Sequence, residues 1–232
     1  MDNAKVEALT KALKDKDPAV RRATLETLET GRPEAKAPIP ALVEALKDED
    51  NSIRILAVEP LLEIDDEFQE VPAIYVMKTL IEVSISNNEE KAEKTNLTNV
   101  ERYDWEDDSC TVAESANFII ADIAGYASAA APDLINMLKD VDADYRHSIA
   151  YALSFMQPLE SSLVLEALRN ENAQVRLGVI KALTSSMWDE ELYQDMKAIV
   201  LALKEALEDK KQEVREAASE ALKEIDSYQK KK

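Results

Sequence analysis

The chain is poor in the residues on which most site chemistry rests: one Cys, one His, three Gly and twelve aromatics among 232 residues. A single Cys excludes a disulfide framework, and with a single His it leaves too few ligands for a structural zinc site. Three glycines leave no G-x-G-x-x-G or Walker sequence to cradle phosphates. No stretch reaches eighteen consecutive apolar residues, and residues 1–30 carry charges too often for a secretory leader, so we expect no membrane span and a cytoplasmic protein. Bases are also scarce, 28 against 47 acids for a net charge of −19, which opposes nucleic-acid binding. No metal role is expected for the acids Asp104, Glu106, Asp107 and Asp108, which lack D-x-D-x-D-G spacing and a turn glycine.

What is present is repetition. Residues 9–28 read Leu9, Leu13, Asp15, Asp17, Val20, Arg21, Leu28, and 33 residues on the same order returns as Leu42, Leu46, Asp48, Asp50, Ile53, Arg54, Leu61. It returns as Leu134, Leu138, Asp140, Asp142, Tyr145, Arg146, Leu153, then as Leu168, Asn170, Asn172, Val175, Arg176, Leu183, and last as Leu207, Asp209, Val214, Arg215, Leu222. Each unit places apolar residues at helical spacing, then a short polar turn, then a second helical pattern. Asp17-Pro18 is a capping carboxylate before a proline at the first helical position, and Pro38, Pro40, Pro72 and Pro132 mark the starts of first helices.

The blocks Ala41-Leu42-Val43-Glu44-Ala45-Leu46-Lys47-Asp48 and Val214-Arg215-Glu216-Ala217-Ala218, with their relatives, resemble the HEAT-repeat superfamily, in the short variety seen in phycobilisome-lyase-type repeat proteins. The resemblance covers roughly residues 5–65 and 131–226. It implies an all-α fold, a right-handed α-solenoid of about six helical hairpins forming one domain over residues 1–232. It also implies that the turn acids Asp15, Asp48, Asp140 and Asp209 and the second-helix Arg21, Arg54, Arg146, Arg176 and Arg215 tie neighbouring repeats together. Asn170 departs from the acid and Ala113 from the arginine.

The third unit is irregular. Residues 87–109 have no periodicity and form an expected acidic loop insertion, into which Tyr103 and Trp105 are set. The acidity follows this irregularity: residues 59–125 hold 17 acids against 4 bases, a net of −13, while residues 1–58 net −1 and residues 126–232 net −5. Such a field favours a basic protein partner.

Counting from Val20, Ile53, Val112, Tyr145, Val175 and Val214, core positions on each second helix fall three, four, seven and eight residues later. Positions five and six residues later are then expected to be exposed. In the central repeats these are mostly apolar or aromatic, Phe118, Tyr151 and Ile180 among them, with Phe155 and Leu177 extending the patch and Asp122 and His147 beside it. Together with Tyr103 and Trp105 they are the candidate partner-binding residues. Glu216, Glu220 and Lys223 read as a polar end cap, and capped ends predict a monomer. Cys110 and His147 fall on different levels of neighbouring helices and do not suggest a nucleophile pair. The expected function is therefore a non-catalytic scaffold or adaptor that binds a protein and carries no cofactor. The alternative, implied by fold resemblance alone, is a phycobilin (tetrapyrrole) lyase-like chromophore binder using the same groove.

Overall fold

The computed structural model describes residues 3–30, 39–58, 60–61, 72–85, 112–125, 127–156, 159–185 and 196–230. The acidic insertion at 87–109, with Tyr103, Trp105 and Cys110, lies outside them. Among the described residues every regular element is helical, and none is a strand. The chain divides into two compact units, Met1–Ile119 and Ile120–Lys232. The first holds α1 (Asn3–Ala12), α2 (Pro18–Thr30), α3 (Ile39–Ala45), α4 (Asn51–Leu56) and α5 (Ala73–Ser84). Helix α6 (Val112–Ile123) carries the division. The second unit continues with α7 (Ala131–Met137), α8 (Ala143–Phe155), α9 (Ser161–Leu168), α10 (Ala173–Ser185), α11 (Met196–Ala206) and α12 (Gln212–Gln229).

Helix starts obey the local chemistry. Pro18 opens α2, Pro40 is the second residue of α3, Pro72 caps α5 and Pro132 lies in the first turn of α7, all places where a missing N–H costs nothing. Asp50 accepts the Ser52 N–H at 2.8 Å to cap α4, and Asp142 accepts the Tyr145 N–H at 2.8 Å to cap α8. Two residues earlier in each turn a second side chain does the same for the turn itself. Asp15, Asp48, Asn170 and Asp209 accept the N–H two residues on, at 2.9, 3.0, 2.9 and 2.8 Å.

Burial on the second helices matches the repeat register. Ile53, Val175 and Val214 are buried, as are Ser148, Ile149, Ala152 and Leu153 on α8 and Val179, Ala182 and Leu183 on α10. At Gly178 the backbone of α10 comes so close to Leu138 that an added Cβ would sit 2.6 Å from its Cδ2, which explains a glycine in mid-helix. Val20, at the same register position, is 38% exposed.

One expectation fails. The position five after the mark is buried wherever it is apolar: Leu25, Val58, Ala150 and Ile180 all lie in the core. At about 100° per residue this position stands about 140° round the helix, and the core arc reaches it because each inner helix packs on its own hairpin partner and on a neighbouring second helix. Ile180 is therefore a core residue and not part of an exposed patch. The exposed arc is narrower and centres on the position six after the mark; position two is exposed at His147 and Glu216 but buried at Ile55 and Leu177, so Leu177 is not an exposed patch residue either.

The arginines close the structure at two levels. Each reaches back to its own turn: Arg21 to the Asp15 carbonyl at 2.9 Å, Arg146 to Val141 at 2.6 Å, Arg176 to Asn170 at 2.6 Å and Arg215 to Asp209 at 2.7 Å, with Arg54 bonded likewise to the Asp48 carbonyl. Two of them also reach forward to the acid of the next repeat with two parallel bonds. Arg21 meets Asp48 at 2.6 and 2.8 Å, and Arg176 meets Asp209 at 2.7 and 2.9 Å. Between these two rungs a third is missing. Where the next acid should face Arg146 the chain has Asn170, and Arg146 Nε is buried with no hydrogen-bond partner. Asp140 is exposed, and the second helix before it has Ala113 in place of arginine.

Burial by itself would raise the Asp48 carboxyl, but the Arg21 hydrogen bond, the Asp50 N–H and the nearby guanidinium charges outweigh it and hold it below the usual carboxylate range. Asp209 is lowered first by its hydrogen bond from Arg176, against a smaller opposing effect of burial. A carboxyl depressed in the folded state adds stability that is complete above its unfolded value of about 3.9 and is lost as pH falls through the folded value. Asp209→Asn keeps the turn acceptor and removes the charged rung. It should cost roughly 2 kcal/mol at pH 7 in urea titrations, with the gap to the parent closing as pH drops below about 4. Asn170→Asp supplies the missing partner and should raise stability by roughly 1 kcal/mol in the same assay, an effect that Arg146→Lys should abolish.

Candidate functional site

The second unit carries a groove of 730 Å³ built on one face of its three inner helices. Helix α8 contributes Ala143, Arg146, His147, Ala150 and Tyr151, α10 contributes Gln174, Leu177, Lys181 and Thr184, and α12 contributes Glu213, Glu216, Ala217 and Glu220. These residues come from three separate repeats, yet they occupy few register positions: two and six after the mark supply His147, Leu177 and Glu216, then Tyr151, Lys181 and Glu220. The groove thus follows from repetition of one helical register, with different side chains placed on each level.

Its base is apolar, formed by Ala150, Ala217 and Leu177, the last only 7% exposed. At one edge the Tyr151 and Phe155 rings meet edge to face, with centroids 4.9 Å apart and planes at 62°. Phe155 remains 41% exposed, whereas Tyr151 is half-buried, and that burial raises its hydroxyl pKa. The opposite wall is a row of glutamates, all exposed. Glu216 accepts a hydrogen bond from Gln212 at 2.7 Å, and no described cation forms an ion pair with Glu213, Glu216 or Glu220. At the turn end of the groove Arg146 and Gln174 each keep a buried polar atom without a partner, the Arg146 Nε donor and the Gln174 Oε1 acceptor.

Of the candidate residues, His147, Tyr151 and Leu177 line this groove and Phe155 flanks it through Tyr151. Ile180 lies beneath it in the core. Phe118 and Asp122 stand on α6, Phe118 48% exposed and Asp122 half-buried. Sequence reading missed the opposite wall. Glu216 and Glu220 looked like an end cap, because nothing in a single helix reveals that its polar face looks across a groove. The roles of Arg146 and Gln174 were also missed, although Asn170 signalled that one arginine would lack its acid. Among the described residues no group of three His, Cys, Asp or Glu side chains is placed to hold a metal ion. Nor is any single described helix long and apolar enough to cross a membrane.

The family model for HEAT repeats matches residues 6–82 and 161–232, more than half of the chain. The chain belongs to the HEAT-repeat family. No curated protein matches this HEAT-repeat chain. Similar solved structures include an engineered protein, 18% identical, with 96% of this chain and 98% of that one covered and a TM-score of 0.40. A designed armadillo repeat protein in complex with the peptide (KR)4 is 16% identical, with coverage of 95% and 99% and a TM-score of 0.41. Human deoxyhypusine hydroxylase in complex with glycerol is 21% identical, with coverage of 96% and 84% and a TM-score of 0.33.

The division between groove and core is measurable. Ile180→Ala should cost about 2–4 kcal/mol, whereas Phe155→Ala and Phe118→Ala should each cost less than about 1 kcal/mol, as read from thermal melts followed by circular dichroism.

Proposed function

We propose that this HEAT-repeat protein is a non-catalytic, monomeric scaffold or adaptor that binds a segment of a protein partner in the groove of its second unit. The observation that carries this reading is the combination in one 730 Å³ groove of an apolar base, a half-exposed aromatic pair and a glutamate row with which no described cation forms an ion pair. Aromatics at the edge of a charged groove supply contact area at little entropic cost, and the polar rim sets orientation. Phe118, exposed on α6, is a second candidate contact.

A tetrapyrrole in the same groove, as in a phycobilin lyase-like protein, is the second reading. It is favoured by the volume, which falls within the range of about 300–1,000 Å³ usual for small-ligand sites. The glutamate wall opposes it, because a ligand with acidic substituents would meet like charge there. Incubation with a bilin decides between them, since a shifted absorbance spectrum would support the chromophore.

The protein-binding reading is tested by affinity capture with the intact protein and with a Tyr151→Ala/Phe155→Ala variant. Recovery of a specific partner by the parent, falling at least tenfold with the variant while its melting temperature stays within a few degrees, is the expected result. Equal recovery by both would exclude the groove as the binding face.

A further inference from the structure

Resting on the groove reading above, the geometry points to a definite kind of occupant: an extended peptide segment with Lys or Arg at alternate positions and an aliphatic residue between them. Three features argue for it. Glu213, Glu216 and Glu220 stand at i, i+3 and i+7 on α12, so they form a single stripe along one wall. At about 1.5 Å per residue the stripe is about 10.5 Å long. Alternate side chains of an extended strand are about 6.7 Å apart and share one face, so two or three cations match the row. The intervening side chain then points the other way, toward the wall where Tyr151 and the exposed Phe155 ring offer an apolar contact.

The charge balance of the sequence agrees. Residues 120–232 hold 20 acids against 14 bases, and no described cation forms an ion pair with the glutamate row, although Arg146 and Lys181 line the same groove. Lys181, also lining the groove, is not in any ion pair with these glutamates and supplies a donor for a main-chain carbonyl of the segment. An acidic segment would meet the glutamates as like charges, and a purely apolar one would leave them without partners.

The test is fluorescence anisotropy of a labelled Lys-Leu-Lys-Leu-Lys peptide against the full chain. Saturable binding is expected, at least tenfold weaker for a Glu213→Gln/Glu216→Gln/Glu220→Gln variant with an unchanged melt, and weakened by added salt. A Glu-Leu-Glu-Leu-Glu peptide should not bind. Equal affinity of parent and variant, or preference for the acidic peptide, overturns the inference; should the variant fail to fold, the comparison of the two peptides on the parent decides. Selection from a random peptide library separates this idea from the one beneath it. Peptides that need Tyr151 and Phe155 but lack alternate cations would overturn the cationic segment and leave the groove as a binding face. If no selected peptide depends on those rings, both fall.

Discussion

The bidentate bond from a second-helix arginine to the turn carboxylate of the next repeat is the constraint from which much of the rest follows. A helical hairpin by itself cannot bury its apolar faces, and hairpins in a stack have only the hydrophobic effect to hold them, which is strong but without direction. The guanidinium adds the direction. In Arg21 the terminal Nη1 donates to the carbonyls of its own turn, and the Nε and Nη2 fork meets a carboxylate that is already oriented by the N–H two residues on. One ion pair thus ties turn, helix and neighbouring repeat into a single network, with both side chains nearly excluded from solvent. Pairs of this kind specify geometry more than they add net stability, because desolvation offsets much of their attraction.

That view explains why Asn170 matters more than a conservative exchange should. Asparagine keeps the turn, accepting the Asn172 N–H as the aspartates do. It does not keep the charge, so Arg146 loses its forward partner and keeps a buried donor unpaired. The break falls between α8 and α10, two of the three helices that form the base of the groove. A network that is complete on one side, at Arg176 and Asp209, and incomplete on the other leaves buried polar atoms unsatisfied at the turn end of the groove.

Much of the fold was legible in the sequence because a repeat prints its rules several times. Leu42, Leu46 and Ile53 are ambiguous alone, but with Leu134, Leu138 and Tyr145 they define a register, and burial on α8 and α10 matches it. The failures have a physical pattern. Ile180 and Leu177 are both apolar residues on the inner helix near the edge of the core arc, and a sequence cannot say how far round a helix its neighbours reach. The answer depends on packing distance, which Gly178 sets by letting α10 close on Leu138. The glutamate wall was invisible for a related reason, since a solvated helix face and a groove wall have the same sequence pattern until the facing helix is in place.

The site's chemistry then rests on an economy particular to repeats. Position six after the mark lies half-buried or exposed on the inner helices α2, α6, α8, α10 and α12, so substitutions there cost the fold little, while position two is exposed on α8 and α12 and buried on α4 and α10. Across three levels these two positions read His147 with Tyr151, Leu177 with Lys181, and Glu216 with Glu220. Going from α8 to α12 the face passes from aromatic through mixed to acidic, a gradient laid across the stack and not along any one helix. A ligand that spans the groove meets the rings on one side and the carboxylates on the other, and it must therefore be amphipathic across its width. For a peptide, that condition is met most simply by the alternation of side chains in an extended strand.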